Sequence, residues 1–226
     1  MRSITISPVV GIPEVVEGDD VAALVAEAAP QLAGEDVVVI AHKIVSKAEG
    51  RVIPSTDKRV EALREAVRVL RSTPDMIIAE TRHGFVCANA GVDTSNIAGE
   101  RVVLLPLDPD LSARRIKARL LHLTGADVAV IISDTFGRPW RLGQTNVAIG
   151  VAGMEPFVDY RGSVDGAGRE LGATRICVAD ELAGAAELVM AKAAGIPAAI
   201  VRGATVSRGR GAAGDIVRPP EEDLFR

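Results

Sequence analysis

A chain of 226 residues with 48% apolar and 25% charged residues has material for one large domain or two small ones, with a substantial core either way. Aromatic residues at 3% leave few stacking platforms for single-stranded nucleic acid, and a formal charge of −4 argues against a phosphate-backbone binder. Two cysteines without metal-ligand spacing, no signal-like start and no run of about 18 apolar residues point to a reduced cytoplasmic protein without a membrane span.

SITISPVVGIP reads as a short strand closed by Gly11 and Pro13. EGDDVAALVAEAAPQL predicts an amphipathic helix capped by Asp19 or Asp20, with Leu24 and Val25 on its buried face and Gly34 ending it. DVVVIAHKIVSKAEGRVI opens as a buried strand and passes into a polar turn or helix start at SKAEG. The spacing of apolar residues from Asp57 to Leu70 predicts a helix. MIIAETRHGFVCANAG predicts two strands joined near RHG, and VDTSNI a turn rich in side-chain oxygens. SARRIKARLLHLTG predicts a helix begun by Ser112 and ended by Gly125. The buried strand ADVAVII follows, then the loop SDTFGRPWRLGQTN and the small-residue strand NVAIGVAG. VADELAGAAELVMAKAAG predicts a helix and IPAAIVRG a strand, and from Ala204 a basic, glycine-rich stretch reads as mobile. Without regular β-α-β alternation, an α+β (mixed α/β) fold is expected rather than a clean Rossmann sheet. No linker divides the chain, so it reads as one catalytic unit with room for two lobes.

Two polar clusters stand at strand ends. NAGVDTSN places Asp93, Thr94, Ser95 and Asn96 after Gly91, and SDTFGR places Asp134 and Thr135 after a buried run. Carboxylates, hydroxyls and amides suit hard cations such as Mg2+ or Mn2+ beside substrate phosphates. The same residues also build Asx-turns and helix caps, so either cluster alone reads both ways. Lys47 in VSKAEGR stands just past a buried strand, where it reaches a phosphate or remains a solvated lysine. No G-x-x-x-x-G-K-[ST] occurs, which excludes a P-loop site. Asp159, Arg161, Asp165, Arg169 and Glu170 share one glycine-rich loop, either a charged-substrate site or a solvated excursion. Arg208 and Arg210 in VSRGRG either close over an anion or belong to a flexible tail. The three histidines are scattered without a Ser-His-Asp arrangement, and Cys87 reads as a small buried residue rather than a nucleophile. The residues alone support a soluble mixed α/β enzyme with a divalent-metal site and anionic ligands; they do not name its reaction.

VVVIAHKIVSKAEGRV, GFVCANAGVDTSNI, VIISDTFGRPWRLGQTNVAIG, DGAGREL, VADELAGAAELVMAK and IPAAIVRG resemble, in that order, segments of the coenzyme F420-0:L-glutamate ligases, the gamma-glutamyl ligases of F420 biosynthesis. The resemblance runs from about Pro8 to Gly203. It implies an irregular two-lobed ligase fold in an intertwined homodimer, with the ligase domain at residues 1–206 and a tail or junction segment at 207–226. RPPEEDLFR resembles the approach to a nitroreductase-like domain fused to some relatives. The implied reaction is GTP-dependent ligation of L-glutamate to coenzyme F420-0, and then of further gamma-linked glutamates, through an acyl phosphate with release of GDP and phosphate. Mg2+ or Mn2+ and K+ are implied, with small-molecule partners and neither nucleic acid nor membrane.

By the same resemblance Asp93, Asp134 and Thr135 correspond to metal ligands, and Lys47, Asp93 and Asp134 carry catalysis. Val10, Gly11, Ile12, Pro13, His42, Lys47, Asn96, Leu188, Val189, Met190, Ala191 and Lys192 correspond to nucleotide-binding positions. His42 stands where relatives often have a small hydroxyl residue. Ala191 stands where many have glycine, a change that backbone contacts tolerate if the local φ is negative. Arg138, Arg141 and Arg169 are candidates for substrate carboxylates and the F420-0 phosphate. Trp140 is expected to be a packing wedge that holds its loop, with Gln144 beside the arginines facing anionic substrates. The alternative is a metal-dependent hydrolase of a phosphorylated small molecule. A carrier of a flavin-like cofactor is a third reading, against which the scarcity of aromatics argues.

Overall fold

The computed structural model describes residues 3–95 and 99–224. Its elements run β1 (Thr5–Pro8), α1 (Val21–Ala28), β2 (Val37–Ala41), α2 (His42–Ala48), β3 (Val52–Pro54), α3 (Lys58–Glu65), β4 (Ala66–Ser72), β5 (Ile77–Thr81) and β6 (Val86–Ala88). They continue with β7 (Arg101–Val103), α4 (Pro109–Thr124), β8 (Ala129–Arg138), β9 (Arg141–Ala152), β10 (Val158–Asp159), β11 (Arg175–Ile176), α5 (Val178–Met190) and β12 (Ala198–Arg202). The main sheet has the order β1-β12-β2-β8-β9, and of its pairings only β2 with β8 is parallel. This is the mixed α+β architecture expected from the sequence.

Alternation of side chains along the strands divides the core into two layers. Val38, Ile40, Val130, Ile132 and Ile200 face one cluster with residues of α1, α2 and α4. Val37, Val39, Ile131, Ala199 and Val201 face the other, with α5 and Ala213. Strands buried on both faces read as unbroken apolar runs, which is what VVVI and VAVII are. A separate third cluster, including Ala62, Ile77, Ala79, Val92 and Val102, forms the second lobe around α3, β5 and β7.

Several boundaries differ from the sequence expectation. Helix α1 starts at the Asp20 cap, whose carboxylate accepts the Ala23 N–H at 3.0 Å, but it ends at Ala28 rather than Gly34. Pro30 is the reason, since it disfavours a helical conformation at Ala29. Helix α4 begins at Pro109 on the Asp108 cap, ahead of Ser112, and ends as expected at Gly125 (φ 73°). The helix predicted to Leu70 stops at Glu65; Ala66–Ser72 is strand β4, paired with β5. Val67 and Val69 alternate as a strand requires, and pairing with β5 outweighs the helical spacing. The expected loop at 133–146 is instead an extended hairpin, β8 running into β9 with Arg138 opposite Arg141. Trp140 occupies its turn at φ 57° and is 81% exposed, so within the chain it is a projecting tip and not a packing wedge.

The stretch read as mobile after Ala204 is laced to the body. Ala213 is fully buried, and Asp110 of α4 accepts N–H bonds from Ala213 and Val151 at 2.8 Å each and from Gly214 at 3.3 Å. One carboxylate thus ties helix, sheet and tail together. Among the described residues no helix is long and apolar enough to cross a membrane.

His83 braces the second lobe against the segment leading to α4. Its Nε2 lies 3.0 Å from the Pro106 carbonyl and 3.1 Å from that of Leu107, and its ring stacks on Phe85. Burial lowers its pKa, with Arg82 adding to the effect and the two carbonyls opposing it. A depressed histidine pKa favours the neutral form in the folded state. Its stability contribution is therefore full above the unfolded pKa of about 6.5 and is lost as pH falls through the folded value. His83→Asn is expected to flatten the fall in melting temperature between pH 7.5 and pH 5.5, measured by circular dichroism. A slope equal to that of the unaltered chain would show that His83 is not the titrating group.

Candidate active site

Strand β2 ends at Ala41, opposite Ser133, which closes its parallel pairing with β8. Beyond this point β8 leaves the sheet with β9, across a bulge between Ile132 and Ser133 that re-aims the strand. Alternation then sends successive side chains to opposite faces. Asp134 goes toward α2 and Thr135 toward α5.

Helix α2 begins directly at His42, without a connecting loop. His42 is buried, with Nε2 at 3.2 Å from Asp134 Oδ1 and Nδ1 at 3.4 Å from Ser46 Oγ. The His42–Asp134 contact is close but not aligned as a hydrogen bond, so among the described residues Nε2 lacks a hydrogen-bonding partner. The next residue, Lys43, reaches the second cluster: its Nζ lies 2.8 Å from Asp93 Oδ2 and also donates to Ser95 Oγ. Consecutive residues of one helical turn therefore touch Asp134 and Asp93, so the start of α2 links the two clusters.

Asp93 is held by unusual backbone. Asn89, Ala90 and Gly91 all have positive φ, and a Cβ on Gly91 would fall 2.6 Å from the Leu105 side chain. Asn89 Oδ1 accepts the Ile77 N–H at 3.1 Å, which braces this turn against β5. Asp93 then exchanges backbone hydrogen bonds with Val103 at 3.0 and 2.8 Å. Its Oδ1 accepts the N–H groups of Thr94 and Ser95, and its Oδ2 the Ser95 hydroxyl. Burial works against ionisation here, but the Lys43 ammonium and these donors outweigh it and hold the carboxyl well below the usual range.

On the α5 side, Thr135 Oγ1 donates to Asn146 Oδ1 at 2.6 Å and accepts from Lys192 Nζ. Asn146 Nδ2 donates to Glu187 at 2.9 Å. A groove of about 1020 Å3 opens beside this region between the β4-β5-β6 sheet and the β8-β9 hairpin. Phe85, Phe136, Val147, Arg68, Arg138 and Asp180 are among its lining residues. Burial raises the Asp180 carboxyl even though it accepts the Ala148 N–H. Cys87 is buried with its thiol pushed up to about 12 by burial and the nearby Asp134 charge, so it is no nucleophile.

The F420-0:gamma-glutamyl ligase family model matches residues 10–63 and 55–203. A protein of Methanothermobacter thermautotrophicus named coenzyme F420:L-glutamate ligase is 45% identical over 249 aligned positions, covering 99% of each chain. The proteins of that name from Methanopyrus kandleri and Archaeoglobus fulgidus are 46% and 40% identical; they cover 100% and 99% of this chain, and 99% and 96% of their own lengths. The chain belongs to the F420-0:gamma-glutamyl ligase family.

The positions that carry the ligase resemblance fall into four groups. His42, Asp93 and Asp134 are tied to the start of α2, while Thr135 and Lys192 meet on the α5-facing side of β8. Val10–Pro13 follows β1 with Gly11 at φ 89°, and the adjacent Glu14 joins Lys47 of α2 at 2.6 Å. Leu188 (81% exposed), Val189 and Met190 close α5. The arginines do not converge. Arg138 bonds the Leu142 carbonyl at the hairpin tip, Arg141 lies exposed beside the same turn, and Arg169 pairs with Asp165 inside its own loop. Asn96 lies outside the described residues. Sequence reasoning missed Lys43, Asn146 and Glu187. Lys43 carried no signal beyond its place after a buried strand, and the other two are far from Thr135 in sequence.

Ala191 contradicts the condition set for it: its φ is 42°, not negative. An alanine there is strained, where glycine would not be. Ala191→Gly is expected to raise the unfolding free energy by about 0.5–1 kcal/mol, read from urea denaturation. An unchanged or lower midpoint would show that the neighbouring packing absorbs the strain.

The donor set can be tested against a divalent ion. Among the described residues no group of three or more His, Cys, Asp or Glu side chains gathers as a metal cluster. Mg2+ nevertheless makes do with one or two carboxylates when substrate phosphates complete its shell. Asp93 and Asp134 are hard oxygen donors, each in contact with the start of α2, and at Asp93 the Lys43 ammonium occupies a place for positive charge. The residues fit such an ion.

Proposed function

We propose that the chain joins L-glutamate to coenzyme F420-0, and further glutamates by gamma linkage, with GTP as co-substrate. The observation that carries this reading is that consecutive residues at the start of α2, His42 and Lys43, contact Asp134 and Asp93, with Lys192 reaching Thr135. A carboxylate is a poor acyl donor because its leaving group would be oxide. Transfer of the γ-phosphoryl group to the F420-0 carboxylate makes an acyl phosphate and releases GDP. The glutamate amine then attacks the carbonyl carbon, and phosphate departs with the C–O bond electrons. Mg2+ or Mn2+ held by Asp93, Asp134 and Thr135 would neutralise phosphate oxygens, and K+ would act as activator.

The remaining work falls to the chain. Lys192 and Lys47 supply positive charge to phosphates, Lys47 by exchanging its Glu14 partner for one. His42 holds Asp134 from beneath, and the backbone at Val10–Pro13 and Leu188–Lys192 contacts the nucleotide. The groove, with Phe85 and Phe136 for a flat ring and Arg68 and Arg138 for anionic groups, suits F420-0. A homodimer is part of this reading. The hairpin tip presents Trp140 and Leu142, 81% and 97% exposed, as an arm reaching a second copy would.

The test is product formation by the purified chain with F420-0, L-glutamate, GTP, K+ and Mn2+, followed by mass spectrometry and phosphate release. Phosphate is expected only when all substrates are present, together with a product heavier by glutamyl units. Absence of an elongated product would sink the ligase reading. Turnover without glutamate, or with GTP intact, would favour a phosphate-ester hydrolase.

A further inference from the structure

We infer that the protein carries a second anion pocket, apart from the carboxylate site, for a small ligand with at least two negative charges. It lies between α4 and segment 209–211 and encloses about 390 Å3, within the roughly 300–1000 Å3 range of small-molecule sites. Arg114, Lys117 and Arg210 bring three cations to it, Leu121 an apolar side, and Gly153 with Gly209 and Gly211 stretches of bare backbone.

The RGRG segment is built into this wall rather than draped over it. A Cβ on Gly209 would fall 1.7 Å from Glu155 Oε1, and one on Gly211 would fall 2.4 Å from Pro156 Cδ and 2.8 Å from the Met154 carbonyl. A Cβ on Gly153 (φ 82°) would fall 2.4 Å from Lys117 Cε. A side chain is excluded at Gly211 by Pro156 and the Met154 carbonyl and strained at Gly153 by its φ, whereas at Gly209 only the Glu155 side chain would have to move; Arg210 is presented from a backbone packed against residues 154–156.

Charge is only partly cancelled around the pocket. Lys117 pairs with Asp127, and Glu155 accepts the backbone N–H of Arg210 at 3.2 Å. Arg114 has only Asp108 at 3.9 Å, and among the described residues no carboxylate pairs with the Arg210 guanidinium. Two guanidinium forks facing one cavity match a phosphate or carboxylate pair. The pocket is not a part of the site around Asp134. Gly153 follows Ala152, which pairs with Val130, and Val130 lies four residues before Asp134, roughly 13 Å of extended strand at about 3.3 Å per residue. This inference does not rest on the ligase reading.

The test titrates pyrophosphate, and separately citrate, by isothermal calorimetry into the full chain after chelator treatment and gel filtration, which remove metal from the carboxylate site and then the chelator itself. Saturable binding of at least one of them is expected, weakened about tenfold or more by Arg210→Gln and by Arg114→Gln and unaffected by Lys192→Gln; each lost charge-assisted hydrogen bond is ample for that. Preference for pyrophosphate assigns a phosphate-bearing ligand, and preference for citrate an oligocarboxylate. Both arginines are exposed, and melting curves verify each variant's fold, so either variant alone suffices. No saturable binding, binding that both arginine variants leave intact, or binding lost only in Lys192→Gln overturns the proposal.

Discussion

Asp134→Asn is expected to lower kcat/KM for glutamate ligation by well over about a hundredfold while leaving the fold intact. Loss of a metal's outer partners alone costs about 10–100-fold, and Asp134 is proposed to touch the ion itself. The substitution is close to isosteric. Its remaining Oδ1 still accepts the Thr135 N–H, now at 2.6 Å, and the side chain, 16% exposed, faces α2 rather than the apolar layers of the core. What changes is charge, the property that a divalent ion and its bound phosphates require. Phosphate release under saturating substrates and a circular dichroism melt, run together, check the two halves. A variant with near-normal turnover and an unchanged melt would place the reacting centre away from Asp134. A collapsed melt would instead make Asp134 a structural residue, paired with the buried His42.

The two carboxylate clusters were legible because each broke a pattern. Asp134 and Thr135 interrupt an apolar run where a buried strand should simply turn, and Asp93 follows a small-residue turn dense in oxygens. Their common link to the start of α2 was not legible. It depends on the parallel pairing of β2 with β8 and on α2 starting with no loop, and both are non-local. Lys43 was hidden for the same reason. One lysine past a strand looks like any other until a partner 50 residues on in the chain comes into contact. Residues 66–72 show the opposite failure, a local helical spacing overruled by pairing with β5. Trp140 and the segment after Ala204 misled through composition. An aromatic among arginines suggested packing and glycines suggested mobility, yet the first is a hairpin tip and the second lies under Asp110. For Ala191 the residues allowed only a condition on φ, and backbone geometry reveals that its φ is glycine-like.

Lys43→Met is expected to tighten Mn2+ binding by about tenfold and, at saturating Mn2+, to reduce kcat. In the chain as it stands, the ammonium is 2.8 Å from Asp93 Oδ2 and supplies the positive charge that this buried-leaning carboxylate needs. In the proposed site a divalent ion would approach the same oxygen, against a cation already there. Two unit charges about 4 Å apart interact by about 4 kcal/mol at an effective dielectric near 20, so relief of even part of this repulsion shifts affinity tenfold. Methionine keeps most of the stem's length and packing without the charge. The cost falls on turnover. An ammonium displaced from Asp93 by the ion stays within reach of the phosphate oxygens, where methionine offers nothing. Calorimetric titration of Mn2+ separates the effect on binding from steady-state kcat. Weaker binding in the variant would mean that Lys43 orients Asp93 for the ion instead of competing with it. Unchanged binding would mean that the ion does not use Asp93, leaving Asp134 and Thr135 to hold it.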